Sequence, residues 1–306
     1  MEKNNTPAPD AIFNRASLLL GSACMQRIHH ARVIIFGLGG VGSWCAESLV
    51  RTGVNHLTLV DSDRICVTNI NRQIQATCST VGQVKTEALR SRLLDINPAA
   101  RIQAIQKVYS RETEGEFDLD AYDFVVDAID SLHCKVRLLS NASRSHATVF
   151  SAFGAACKLD PTKVRTDEFR QVKGCPLGSK LRKLMRRANM LPAKDVWVVY
   201  SDEVLPNAGQ ASACGTAACL CPRAVNGPGE PALLNHEWCS QKAVINGSLA
   251  HITGIFGLTL AGLVIQHLHG QVNRDEQTTI DRHMEGECLP FRLPTDGTPV
   301  PFPRQG

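Results

Sequence analysis

Apolar runs at residues 32–36, 56–60, 101–106, 124–129 and 148–153 alternate with stretches at 41–51, 81–96 and 132–146 whose apolar residues recur at helical spacing. The runs are short, mostly β-branched and bounded by turn formers, which predicts strands. Strands alternating with helices predict an α/β fold, a doubly wound and mainly parallel Rossmann-like sheet. Residues 1–30 read as helical with a frayed start. Beyond Pro161 the pattern changes. Residues 162–169 and 196–201 read as strands on either side of an amphipathic helix, 206–231 as a loop, and 250–267 as a buried helix. The predicted division is 1–30, an N-terminal helical segment; 31–160, a nucleotide-binding domain; 161–270, a smaller substrate-binding part; and 271–306, a Pro-rich tail without periodicity, expected to be extended or disordered.

The first strand feeds directly into Gly37-Leu38-Gly39-Gly40-Val41-Gly42. Strand, glycine turn and helix in that order bring backbone N–H groups up to a phosphate at a helix N-terminus. Alone, this turn serves dinucleotide oxidoreductases as well as ATP enzymes. Downstream residues separate the two. The second strand ends in Asp61, placed to take a ribose hydroxyl, and Asp63, Asn69, Arg72 and Lys85 follow. Asp130 lies just past the fourth strand, at the carboxyl end where open sheets bind ligands. Two cations for a polyphosphate and a carboxylate for Mg²⁺ suit nucleotidyl transfer, in which charge builds on phosphate oxygens. Hydride transfer needs none of these.

The set Gly37-x-Gly39-Gly40-x-Gly42, Asp61-x-Asp63, Asn69-x-Asn71-Arg72-Gln73, Lys85 and Asp127-x-x-Asp130 resembles the ubiquitin-activating-like adenylating superfamily, whose members activate a carboxylate as an acyl-adenylate. The wording of Val41-Gly42-Ser43-Trp44, of residues 47–53 and 66–74, and of Val126-Asp127-Ala128-Ile129-Asp130-Ser131 is similar to the tRNA threonylcarbamoyladenosine dehydratases within it. The likeness runs from Phe13 to Gln266 and is strongest between Arg32 and Asp130. It implies ATP and Mg²⁺ as cofactors, tRNA as partner, a homodimer, and ATP-dependent dehydration (cyclisation) of threonylcarbamoyladenosine through an acyl-adenylate. It also implies roles: Asp61, Asp63 and Asn69 with the glycines at the nucleotide, Arg72 and Lys85 at the phosphates, Asp130 at Mg²⁺, and Arg15 reaching into the partner subunit's ATP site. The alternative is an adenylyltransferase that activates the C-terminus of a sulfur-carrier or ubiquitin-like protein. Relatives of that kind carry two C-x-x-C pairs, and this sequence has none.

Charge sharpens the choice. The net charge is only +4, but Lys180, Arg182, Lys183, Arg186 and Arg187 crowd one short segment without an acid among them. Leu177, Leu181, Leu184, Met185 and Ala188 recur there at helical spacing, so the segment reads as a helix with a dense basic side. A nucleic-acid backbone is its natural partner, and the helix is expected to lie apart from the glycine turn. Twelve cysteines are many for 306 residues. The polar start is unlike a secretory signal, which predicts a cytoplasmic setting and thiols rather than disulfides. Cys45, Cys134 and Cys157 read as small core hydrophobes. Cys239, near His236, is a candidate thiol nucleophile, and Cys214, Cys219 and Cys221 a loose metal candidate. The apolar run 249–265 falls short of a bilayer span, so no transmembrane segment is expected. Whether a partner supplies sulfur or electrons stays open.

Overall fold

The computed structural model describes residues 9–209 and 246–286. The N-terminal helices are α1 (Pro9–Ile12) and α2 (Asn14–His30). Five strands follow with their connecting helices: β1 (Arg32–Phe36), α3 (Gly42–Thr52), β2 (His56–Val60), α4 (Lys85–Ile96), β3 (Arg101–Ile105), β4 (Phe124–Asp127), α5 (Leu132–Ala142) and β5 (Thr148–Ala152). The chain ends its described part with β6 (Arg165–Glu168), α6 (Pro176–Arg187), β7 (Trp197–Tyr200) and α7 (Ala250–Gly286).

One seven-stranded sheet has the order β3-β2-β1-β4-β5-β7-β6. All neighbours are parallel except β6, which pairs antiparallel with β7 at the edge. Side chains alternate across the sheet, so each apolar strand serves two cores. Val33 and Ile35 of β1 pack in the core under α2, α3, α4 and α7, while Ile34 and Phe36 pack on the other face with Leu138 and Leu139 of α5 and Leu181 and Met185 of α6. The sequence divides the chain near residue 160, but β7 docks directly on β5. Its Val198 and Val199 are buried on opposite faces, so the later part completes the first part's sheet.

The long helix α7 departs from expectation. It runs through residue 270 to Gly286, whereas residues from 271 onward were expected to be extended. The stretch 271–286 lacks an apolar stripe but also lacks proline, and the prolines begin only at Pro290. Within it, Ala250–Val272 is long and apolar enough to cross a membrane, more than the run 249–265 suggests. It is nonetheless a core helix: Ile252, Phe256, Leu260, Ala261 and Val264 are buried against the sheet and α3. Close approach requires glycine, since a Cβ on Gly257 would lie 2.3 Å from the Val41 carbonyl oxygen.

Candidate active site

β1 ends in a turn that only glycine can make. Gly37 has φ +87°, and a Cβ there would stand 2.7 Å from the Ala128 carbonyl oxygen. Gly42 opens α3 so close to this turn that its Cβ would lie 1.9 Å from the Gly37 carbonyl oxygen. The turn is therefore folded onto itself and onto the loop after β4. Asp61, at the end of β2, holds it from the other side. Its Oδ2 accepts the Leu38 N–H at 2.6 Å, and its Oδ1 accepts the Asp63 N–H at 2.8 Å.

Lys85, the first residue of α4, is 5% exposed and donates to Asp63 Oδ2 at 2.8 Å, with Asp61 Oδ1 at 3.8 Å. Burial alone would push this ammonium down, but the carboxylates of Asp61 and Asp63, with Asp130 beyond them, outweigh it and hold it above the ordinary lysine range. Asn69 is buried, and its Oδ1 accepts the Cys66 N–H at 3.0 Å, closing the 3₁₀ turn Val67–Asn69. Arg72 lies just beyond, its Nη1 donating to the Thr68 carbonyl at 2.8 Å and Asn71 Oδ1 at 2.9 Å. Trp44 Nε1 donates to the Arg72 carbonyl at 3.0 Å and ties this loop to α3.

The two aspartates after β4 divide their work. Asp127 is fully buried: its Oδ2 accepts from Lys135 Nζ at 2.5 Å and Ser151 Oγ at 2.7 Å, and its Oδ1 accepts the Ile129 N–H at 3.1 Å. It anchors the loop. Asp130 is exposed and faces the cavity. Lys135 carries little signal in the sequence beyond its position on the inward face of α5.

Gly37, Gly39 and Gly40 meet Asp61, Asp63, Asn69, Arg72, Lys85 and Asp130 around one cavity of about 1020 Å³. Gly42 stands behind the turn rather than in the wall. The far wall holds surprises. Lys158 and Lys180 line it, and neither the first residue nor the placement of the second was foreseen. α6 was expected to lie apart from the glycine turn, yet Cys175, Pro176 and Leu177 at its start border the same cavity, because α6 packs on the sheet beside β5. Its other cations differ. Lys183, Arg186 and Arg187 are exposed, whereas Arg182 is half-buried and donates to the Phe169 carbonyl at 3.1 Å. Ala188, counted with the apolar stripe, is exposed. Cys45 is buried as expected, but Cys134 and Cys157 are half-buried and line the cavity, since both sit in loops or first turns at the carboxyl edge of the sheet. No disulfide joins any of the seven described cysteines. Arg15 is exposed on α2 and does not line this chain's cavity. Cys239, Cys214, Cys219, Cys221 and His236 lie outside the described residues.

The cavity fits ATP. Gln73, 5% exposed, lines it, and its Oε1 has no hydrogen-bond partner among the described residues, an acceptor suited to a base amino or ribose hydroxyl donor. Among the described residues no group of three or more His, Cys, Asp or Glu could hold a metal by itself. Mg²⁺ at Asp130 would rely on phosphate oxygens for the rest of its shell, as this ion commonly does.

Similarity to known proteins agrees with this geometry. The chain is 35% identical over 191 residues to the tRNA threonylcarbamoyladenosine dehydratase of Bacillus subtilis, covering 62% of this chain and 74% of that one. The crystal structure of the Escherichia coli tRNA N6-threonylcarbamoyladenosine dehydratase in complex with ATP superposes with a TM-score of 0.70 at 26% identity, covering 87% of this chain and 96% of that one. A shorter likeness, 32% over 150 residues, covers 48% of this chain and 59% of the Escherichia coli molybdopterin-synthase adenylyltransferase. The ThiF family model matches residues 13–295, and the chain belongs to the ThiF family.

Proposed function

We propose that the protein is an ATP-dependent tRNA threonylcarbamoyladenosine dehydratase. The observation that carries this reading is the shared cavity: the glycine turn, Lys85, Arg72 and Asp130 on one wall, and the start of the basic helix α6 on the other. The substrate carboxylate attacks the α-phosphorus of ATP, an acyl–phosphate bond forms, and pyrophosphate leaves. A nitrogen or oxygen of the same side chain then attacks the acyl carbon, and AMP departs with the carboxylate oxygen. The net change is loss of water from the side chain and hydrolysis of ATP to AMP and pyrophosphate. The tethered nucleophile makes the second step intramolecular, which removes much of its entropic barrier.

Each residue has a place in this scheme. Lys85 and Arg72 offset charge on the phosphates, and Asp61 and Asp63 keep Lys85 ionised and fixed. Gly39, Gly40 and the start of α3 present N–H groups to the phosphates. Asp130 would hold Mg²⁺, which supplies further positive charge to the departing pyrophosphate. Lys180, Lys183, Arg186 and Arg187 offer the tRNA backbone a basic track leading to the cavity, with Arg182 partly committed to Phe169. In a homodimer, exposed Arg15 would complete the neighbour's site, and the setting would be the cytoplasm, where tRNA is the natural substrate.

The rival is a carrier-protein adenylyltransferase. The test is pyrophosphate release from ATP with threonylcarbamoyl-tRNA, unmodified tRNA or a sulfur-carrier protein. The proposal expects release with the first alone. Release with the carrier protein and not with tRNA would overturn it. Sedimentation showing a fully active monomer would overturn the role given to Arg15.

A further inference from the structure

Lys158 is the second buried lysine of the cavity and has a different environment from Lys85. It is 6% exposed. Its Nζ donates to the carbonyl oxygens of Ser201 at 3.2 Å and Glu203 at 2.5 Å. Both acceptors are neutral. An ammonium carries three N–H groups, and the third has no acceptor among the described residues. The nearby acids are engaged elsewhere: the Glu203 carboxylate accepts the N–H groups of Leu159 and Asp160, and Asp202 pairs with Arg165 at 2.6 Å. Burial holds the Lys158 ammonium below the ordinary lysine range and outweighs the opposing pull of Cys175, Glu203, Cys157 and Asp202.

A buried cation with no counter-ion among the described residues is costly and rarely kept without a use. The backbone fixes it firmly. Cys157, at φ +58°, donates its N–H to the Gly247 carbonyl at 2.8 Å, and its own carbonyl accepts the Leu205 N–H at 2.9 Å. Lys180, on the first turns of α6, borders the same wall. This wall is distinct from the phosphate wall. Asp61 ends β2 and Ala152 ends β5, and three strand spacings separate them, roughly 14 Å. A cavity of about 1020 Å³ has room for a second ligand beside a nucleotide.

We propose that Lys158, supported by Lys180, forms a second anion subsite that takes the carboxylate of the acyl substrate and steers it toward ATP. The identity of the substrate rests on the function proposed above; the subsite itself rests on the environment of Lys158. Bringing a carboxylate to a triphosphate opposes two like charges. A fixed ammonium beside the carboxylate offsets that repulsion while leaving one carboxylate oxygen to attack.

The test compares the parent with Lys158→Gln, which retains hydrogen-bond donors for the two carbonyls, and with Lys158→Arg, which restores the charge. Lys158→Gln should raise KM for threonylcarbamoyl-tRNA about tenfold or more, the scale of one charged hydrogen bond, with Lys158→Arg recovering part of the loss. The affinity for ATP and for unmodified tRNA should not change. The same loss should appear with the free threonylcarbamoyladenosine nucleoside, which has a carboxylate and no phosphate. The parent's kcat/KM should fall on an alkaline limb that Lys158→Gln lacks, a readout that a purely structural lysine would not move. A KM within twofold of the parent, a parallel loss of ATP affinity, or a loss shared with unmodified tRNA would each overturn the subsite. Calorimetry with N-carbamoylthreonine and a non-hydrolysable ATP analogue separates this result from the function itself. Binding to the parent that Lys158→Gln abolishes supports the carboxylate subsite whichever macromolecule releases pyrophosphate, and absence of binding to the parent overturns it.

Discussion

Lys85 and Lys158 sit in the walls of one cavity and are almost equally buried, yet their surroundings are opposite. Lys85 is matched by carboxylates at 2.8 and 3.8 Å, whereas among the described residues Lys158 donates to carbonyl oxygens alone. On the nucleotide side, the lysine's charge is met by carboxylates before any ligand arrives, and the lysine is a rigid part of the phosphate cradle. On the far side, positive charge is held in reserve. The cavity thus has a preorganised half and a half that is completed by what enters it.

The largest effect should come from breaking the balanced half. Lys85→Met removes the buried ammonium that Asp61 and Asp63 share, and removing one partner of a buried pair costs about 3 kcal/mol or more. Denaturant unfolding should report that loss together with loss of ATP binding; a midpoint equal to the parent's would show that the two carboxylates need no cation. Next is Asp130→Asn. The side chain is exposed, so the melting temperature should hold, while turnover falls at least about a hundredfold, the scale of one transition-state charge contact of roughly 3 kcal/mol. Near-normal pyrophosphate release would remove Asp130 from the mechanism.

A smaller effect separates the cavity from its approach. Reversal of exposed Lys183, Arg186 and Arg187 to Glu should weaken tRNA binding and flatten its log–log salt dependence by about two to three units, since each lost phosphate contact removes nearly one. ATP affinity should not respond, because none of the three lines the cavity. A tRNA salt slope equal to the parent's would make this face of α6 a solvated surface.

The smallest effect is a matter of sign with pH. Lys158 is depressed in the folded state, so the unfolded chain binds its proton more readily, and stability attributable to this residue rises with pH up to the ordinary lysine range. Lys85 is raised, so its contribution is fully present below the unfolded lysine pKa and is lost only above it. The stability difference between the parent and Lys158→Gln should therefore shift in the parent's favour as pH rises toward the ordinary lysine range, whereas that between the parent and Lys85→Met should stay flat there. Taking differences removes the contribution of buried thiols such as Cys45, which titrate in the same chain. A flat Lys158 difference would place its ammonium in the ordinary lysine range.

Much of the preorganised half was legible in the sequence. β1 and β2 begin and end where predicted, because a strand buried on both faces stops abruptly where glycine or aspartate follows. The start of α4 was placed four residues early, at Val81 rather than Lys85. Gly82, at φ +88°, is a local signal against helix there, and the bridge between Arg64 and Val84 holds Val84 extended. That pairing is a tertiary contact and leaves no local signature. Lys158 was illegible for the same reason. It is an ordinary lysine in a loop until Ser201 and Glu203, more than 40 residues later, bring up their carbonyls. The separate roles of Asp127 and Asp130 likewise depend on Lys135 and Ser151 reaching the first and not the second.

The contact of α7 with the glycine turn has a consequence in time. Gly40 lies under Thr253, whose Cβ would be 2.9 Å from a Cβ added to the glycine, and Gly257 is seated against Val41. The nucleotide turn is made early in synthesis, but the helix that covers it comes more than 200 residues later. At about 5–20 residues per second the ribosome needs roughly 10–40 s to supply it. A nascent chain would therefore spend that interval with the phosphate turn uncovered, and ATP would stabilise the chain once α7 is made rather than guide the folding of the strands before it. For the same reason residues 1–160, which contain every glycine of the turn, should not serve as a free-standing ATP-binding fragment.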